Sequence, residues 1–148
     1  MTGATGFLGH HIVPALRASF DAEVIGVGRK DYDLLKAGQS EVMLADIKPD
    51  AVVHLAARVG GIVANIKYPA EFFYQNVIIN TALFHAAYKA GVKKLLTLMG
   101  GCSYPAMASS PIGEDQMWDG YPQAESASYS VAKKIILVKS ATYRQQYG

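Results

Sequence analysis

Three short apolar runs rich in branched residues, at 23–27, 51–55 and 94–98, are separated by longer stretches of helical periodicity. No other feature constrains the chain as much. Buried parallel strands read as continuous apolar runs, and each needs a crossover, usually helical, to reach the next. The predicted fold class is therefore α/β with a doubly wound parallel sheet. Helices are expected at 7–17, more weakly at 34–46, and at 70–90. A last helix is expected from Ser128, as N-cap, toward Tyr147, with Val131, Ile135, Val138 and Thr142 along one face. Residues 100–127 are rich in Gly, Pro and Ser and lack a sustained period, so they read as a long loop of the kind that usually carries function.

A chain of 148 residues has room for one domain, and 51% hydrophobic with 18% charged residues is a globular, soluble composition. The balance of 14 basic against 12 acidic side chains leaves +2, with no run of like charge, which argues against a nucleic-acid partner. No apolar stretch approaches the roughly 20 residues that span a bilayer, so no membrane association is expected. The single cysteine, Cys102, excludes an internal disulfide. With no secretory leader at the N-terminus, a cytoplasmic setting is expected.

Thr2-Gly3-Ala4-Thr5-Gly6-Phe7-Leu8-Gly9 spaces three glycines three residues apart at the start of a predicted helix. Such a turn lets the backbone approach a pyrophosphate while the helix-terminal N–H groups and dipole favour the anion. Spacing alone is also met by a tight strand-to-helix turn without a ligand. After the run at 23–27 comes Gly28-Arg29-Lys30, with cations where an acidic residue would accept hydrogen bonds from an unmodified ribose. A guanidinium there suits a 2′-phosphate, although a solvated surface Arg has the same appearance.

Tyr129 and Lys133 stand four residues apart, hence on one helical face. The ammonium is expected to favour the phenolate and bring the tyrosine closer to the working pH as a proton donor to a carbonyl. Tyr32 and Lys36 share the spacing but lie just past the second predicted strand, too early in the chain for a catalytic pair. Judged by position alone, Cys102 reads as a small buried hydrophobe.

The chain resembles the extended short-chain dehydrogenase/reductase superfamily and, within it, the GDP-L-fucose synthase family of epimerase-reductases. The likeness is carried by Lys48-Pro-Asp-Ala-Val-Val-His-Leu-Ala-Ala-Arg-Val-Gly-Gly-Ile-Val-Ala-Asn65, Tyr68-Pro69, Tyr74-Gln-Asn76, Cys102-Ser-Tyr-Pro105 and the Tyr129 to Lys133 motif. The segment 59–65, which reads as a loop, is the most family-specific of these. The resemblance implies a Rossmann-like fold and NADP as cofactor, with no metal. Gly3, Thr5, Gly6, Phe7, Leu8 and Gly9 would then border the cofactor, the three glycines lining its pyrophosphate. Arg29 would face the 2′-phosphate, and Leu55, Ala56 and Ala57 would lie along the cofactor. Tyr129 is implied as general acid, Lys133 as its partner on the nicotinamide ribose, and Cys102 as the epimerisation base. A nucleotide-sugar substrate and a homodimer built on the two long helices are also implied.

Two departures stand out. Four residues before the tyrosine of Cys-Ser-Tyr-Pro the family places a Ser or Thr that hydrogen-bonds the substrate carbonyl, and here that residue is Gly100. Ser103 lies at a different phase of the chain, so the role is not transferred to it. The chain is also expected to be incomplete at both ends. Only Met1 stands where a central strand would run between those carrying Val27 and Val53, and the substrate-binding part with the family's His acid is missing. Unpartnered inner edges predict a domain that aggregates when expressed alone.

Overall fold

A computed structural model describes Met1–Gly148. In chain order it contains α1 (Phe7–Ser19), α2 (Gln39–Ile47), β1 (Ala51–His54), α3 (Ile62–Lys67), α4 (Pro69–Lys89), β2 (Lys94–Thr97) and α5 (Ala127–Tyr147). It divides into two compact units, one of Met1–Ala57 with Ile78–Leu98 and one of Arg58–Val77 with Met99–Gly148. α4 contributes its first turns to the second unit and the remainder to the first.

In the first unit β1 and β2 pair in parallel, with Ala51 opposite Lys94 and His54 opposite Thr97. Thr2 bridges both Val27 and His54, the position expected for a central strand. The predicted strand at 23–27 does not form as one. Pairing there is a single bridge from Val27 to Thr2, with Val27 N–H donating to Met1 O at 2.9 Å and Ala4 N–H to Val27 O at 3.1 Å. The helix expected at 34–46 is shortened to α2, because turns occupy 34–37 and Gly38, at φ 79°, breaks the run before Gln39. Leu34, Met43 and Leu44 pack with Val27 and Val52 against Ile79, Leu83, Ala86 and Ala87 of α4. The last four recur at helical spacing, and full burial of a side chain such as Leu83 contributes roughly 1.5–3 kcal/mol.

The second unit holds α3, the start of α4, and α5. The segment 59–65 is not wholly loop: α3 begins at Ile62, a six-residue helix too short to show a periodicity in sequence. Residues 100–127 are irregular as expected, relieved only by three short 3₁₀ turns at Gly101–Ser103, Glu114–Trp118 and Ala124–Ser126. The last of these runs straight into α5, so Ser126 rather than Ser128 holds the cap position, without a side-chain capping bond. The inward face of α5 also differs from expectation. Ser130, Ala132, Lys133 and Ile136 are buried, whereas Val138 and Thr142 are exposed.

Close packing in the glycine turn predicts a measurable cost. A Cβ at Gly9 would run into the carbonyl oxygens of Gly3 and Ala4, both main-chain atoms that cannot swing aside. Gly9→Ala should therefore destabilise the protein by about 1–3 kcal/mol, the usual range for overpacking. The urea midpoint reads this directly, and an unchanged midpoint would contradict the observed packing.

Candidate active site

In the first unit the turn 2–9 is held by side chains as well as by glycine. Thr2 is buried, its Oγ1 lies 2.7 Å from His54 Nδ1, and it accepts the Ala56 N–H at 3.3 Å, tying the start of the turn to the end of β1. Sequence reasoning did not single out either Thr2 or His54. Gly3 has φ 70°, and a Cβ there would sit 2.7 Å from the Ala56 nitrogen, so conformation and close approach both demand glycine. Gly6 occupies the N-cap of α1 with no side-chain cap, and the first turn carries no acidic residue. Thr5, Gly6, Phe7 and Leu8 are exposed, and Leu55, Ala56 and Ala57 are half-buried. The orphan N–H groups of a 13-residue helix thus open beside a backbone shaped for close approach, a cradle that fits a dinucleotide pyrophosphate.

Arg29 lies on the turn after Val27, its side chain 70% exposed and only loosely paired with Asp33 at 3.4 Å. Asp31 is spent on the main chain, accepting the Gly28 N–H at 2.8 Å. The exposed, weakly paired cation and the occupied Asp31 carboxylate both suit a 2′-phosphate better than a bare ribose.

The second unit gathers the other predicted residues. Cys102 is exposed on the first 3₁₀ turn, not a buried hydrophobe as its position alone had implied. A Cβ built at Gly100 would lie 3.1 Å from Cys102 Sγ, 3.2 Å from Tyr129 Cε1 and 3.8 Å from the Tyr129 hydroxyl, which places Gly100 against both. Tyr129 is half-buried and Lys133, one turn later, is buried. Burial, followed by the negative charge of an ionised Cys102, pushes the Tyr129 phenol above its ordinary range. Lys133 was expected to lower it and does not. Burial weakens the ammonium itself, holding Lys133 below its usual value, with Cys102 opposing that shift. Ser103 is fully buried and donates to the Ser130 carbonyl at 3.1 Å, so its hydroxyl does not replace the one missing at Gly100.

Residues not anticipated as site members surround Tyr129. Phe72 of α4 meets its ring edge to face, with centroids 6.5 Å apart and planes at 78°. The Arg58 guanidinium lies 5.4 Å over Phe72. Asn76, inside the Tyr-Gln-Asn motif, takes the Arg58 N–H on Oδ1 at 3.0 Å and donates Nδ2 to the carbonyls of Arg58 and Phe72 at 3.0 and 2.7 Å. The motif pointed to Asn76, but nothing in sequence linked Phe72 to Tyr129.

Comparison with known proteins follows the same lines. Residues 1–148 match the NAD dependent epimerase/dehydratase family. A GDP-L-fucose synthase of Sinorhizobium fredii is 38% identical over 148 residues, all of this chain and 47% of the relative, so the chain spans about half the length of that protein. The solved structure of DdhaC superposes with a TM-score of 0.94 at 32% identity, covering 99% of this chain and 42% of that one. A GDP-L-fucose synthetase of Naegleria fowleri bound to NADP gives 0.86 at 28% identity, covering 98% and 47%. No helix of the chain is long and apolar enough to cross a membrane.

Proposed function

The chain belongs to the NAD-dependent epimerase/dehydratase family, and from that premise we propose that residues 1–148 are the dinucleotide-binding portion of an NADP-dependent epimerase-reductase converting GDP-4-keto-6-deoxy-D-mannose to GDP-L-fucose. The observation that carries the reading is the gathering of Cys102, Tyr129 and Lys133 in one unit, with Cys102 and Tyr129 both lying against Gly100. The curated relative from Sinorhizobium fredii supports the choice of sugar. In the complete enzyme, a cytoplasmic homodimer in this reading, most contacts to the sugar nucleotide come from outside these residues.

The glycines and uncapped N–H groups of α1 would hold the pyrophosphate, Arg29 the 2′-phosphate, and Lys133 the nicotinamide ribose. NADPH, when bound, supplies a hydride to the keto carbon. Cys102 Sγ would take a proton from a carbon next to the keto group, and an acid outside these residues would return one on the opposite face. Tyr129 donates its phenolic proton to the carbonyl oxygen during reduction, then recovers one from solvent.

Cofactor choice gives one test. A charge-assisted contact contributes roughly 1.5–3 kcal/mol, so Arg29→Ala should erase about tenfold or more of the preference for NADPH over NADH. Equal affinities in the unaltered protein would sink the NADP assignment. For the sugar, product analysis with a panel of GDP- and UDP-4-keto hexoses should yield GDP-L-fucose as the preferred product. Preference for another hexose would move the enzyme to a different member of the family, and cofactor binding without turnover of any sugar would mark a non-catalytic nucleotide-binding protein.

A further inference from the structure

Tyr129 is the residue on which the proposed reduction turns, and its surroundings give a function to the family-specific segment that the catalytic reading leaves unexplained. Phe72 is fully buried and stands edge to face with Tyr129 at 6.5 Å. Its own freedom is removed by the segment 58–61. A Cβ at Gly60 would lie 2.8 Å from Phe72 Cζ, so the ring packs directly on the Gly60 backbone. The Arg58 cation sits over the same ring, anchored by an ion pair to Glu71 at 3.3 Å. Asn76 fixes the Arg58 main chain by hydrogen bonds to both its N–H and its carbonyl. On its other contacts Tyr129 packs closely against Gly100, where even a Cβ would lie 3.2 Å from Cε1. A phenol that must deliver a proton along one direction needs a fixed ring, and edge-to-face packing supplies a preferred geometry that aliphatic contact lacks.

We propose that Phe72, confined by Arg58 and the Gly60 backbone, is the positioning residue that aims the Tyr129 hydroxyl at the substrate carbonyl. This rests on the assignment of Tyr129 as general acid. It makes Gly60 a requirement of catalysis rather than of chain flexibility, since any side chain there would displace the buried ring.

The test uses the complete enzyme with NADPH and the 4-keto sugar, comparing Phe72→Leu, Phe72→Met and Gly60→Ala with Tyr129→Phe. Misplacement of a reacting group by about 1 Å costs on the order of 10²-fold. Both Phe72 variants and Gly60→Ala should lower kcat for NADPH oxidation by roughly that factor. KM for both substrates should stay within about twofold, and solvent-deuterium uptake into the sugar, which depends on Cys102, should fall much less than reduction. Should one substitution fail to fold, the remaining two decide. Folded variants with unaltered kcat, or with reduction and deuterium uptake falling in step with thermal stability, would overturn the positioning role. If Tyr129→Phe itself reduces at the full rate, the assignment of the acid fails; if it is inactive while the other variants reduce normally, only the role of Phe72 fails.

Discussion

Tyr129→Phe in the complete enzyme is expected to slow reduction by about 10²- to 10⁴-fold, the range typical of a positioned general acid. The substitution deletes one oxygen from a half-buried ring and leaves the contact with Phe72 in place, so folding should be preserved. Most of the cofactor affinity should also hold, because the glycine turn, Arg29 and Lys133 are unaltered. The effect therefore belongs in kcat. NADPH oxidation under saturating sugar and cofactor measures it, with fluorescence titration of NADPH as the control for binding. A loss smaller than about tenfold would mean that water or another group delivers the proton, against the role assigned to Tyr129.

Gly100→Ser should move the rate the other way. As hydride arrives, negative charge builds on the carbonyl oxygen, and the resemblance implies a Ser or Thr hydroxyl at this position to meet it. Loss of one such donor typically costs about 10²- to 10³-fold. Gly100 has φ −102° and ψ 141°, a conformation open to any residue, and its missing Cβ points to within 3.8 Å of the Tyr129 hydroxyl. A serine hydroxyl there would stand beside the phenol. The fit is tight, at 3.1 Å to Cys102 Sγ and 3.2 Å to Tyr129 Cε1, so both neighbours must yield by a few tenths of an ångström. Cys102 is exposed and free to do so. The expected result is a gain in NADPH oxidation of about tenfold or more, with a smaller gain in solvent-deuterium uptake. Gly100→Ala separates the hydroxyl from the bulk: it should bring no gain. If Gly100→Ser folds and reduces no faster than the unaltered enzyme, the missing hydroxyl is not what limits the reaction.

How far the sequence could be read depended on what held each element in place. Residues 51–54 and 94–97 announce themselves as strands because they are apolar on their own account and pair with each other. Residues 23–27 are as apolar in sequence, but a strand is a property of two chains side by side, and Val27 has only Thr2 to pair with. The α5 face was misread for a related reason. Hydrophobicity pointed to Val131, Ile135 and Val138, whereas the helix turns Ser130, Lys133 and part of Tyr129 inward. Polar side chains buried on the inner face of a helix interrupt its apolar stripe, so periodicity alone misplaces that face.

The candidate site was legible wherever motif residues act through their own chemistry. Gly3 and Gly9 sit in close main-chain contacts of the kind a tight strand-to-helix turn makes, and Cys102 and Tyr129 both lie against Gly100. What the sequence concealed was tertiary. Phe72 precedes Tyr129 by more than fifty residues, and no local pattern distinguishes it from the exposed Phe73 beside it. The direction of the Tyr129 shift was equally hidden, because it depends on burial and on Cys102 rather than on the nearby lysine.

Cys102 as epimerisation base and Tyr129 with Lys133 in reduction are tested together, and most directly, by a single turnover in D₂O. The complete enzyme would be mixed with NADPH and GDP-4-keto-6-deoxy-D-mannose and the product examined by NMR and mass spectrometry. The account predicts GDP-L-fucose carrying solvent deuterium on both carbons that flank the former keto carbon, with the hydrogen on that carbon delivered from NADPH. It also predicts that Cys102→Ala removes the flanking deuterium. Reduction of the sugar without deuterium at either flanking carbon, or full deuterium uptake by Cys102→Ala, would contradict it.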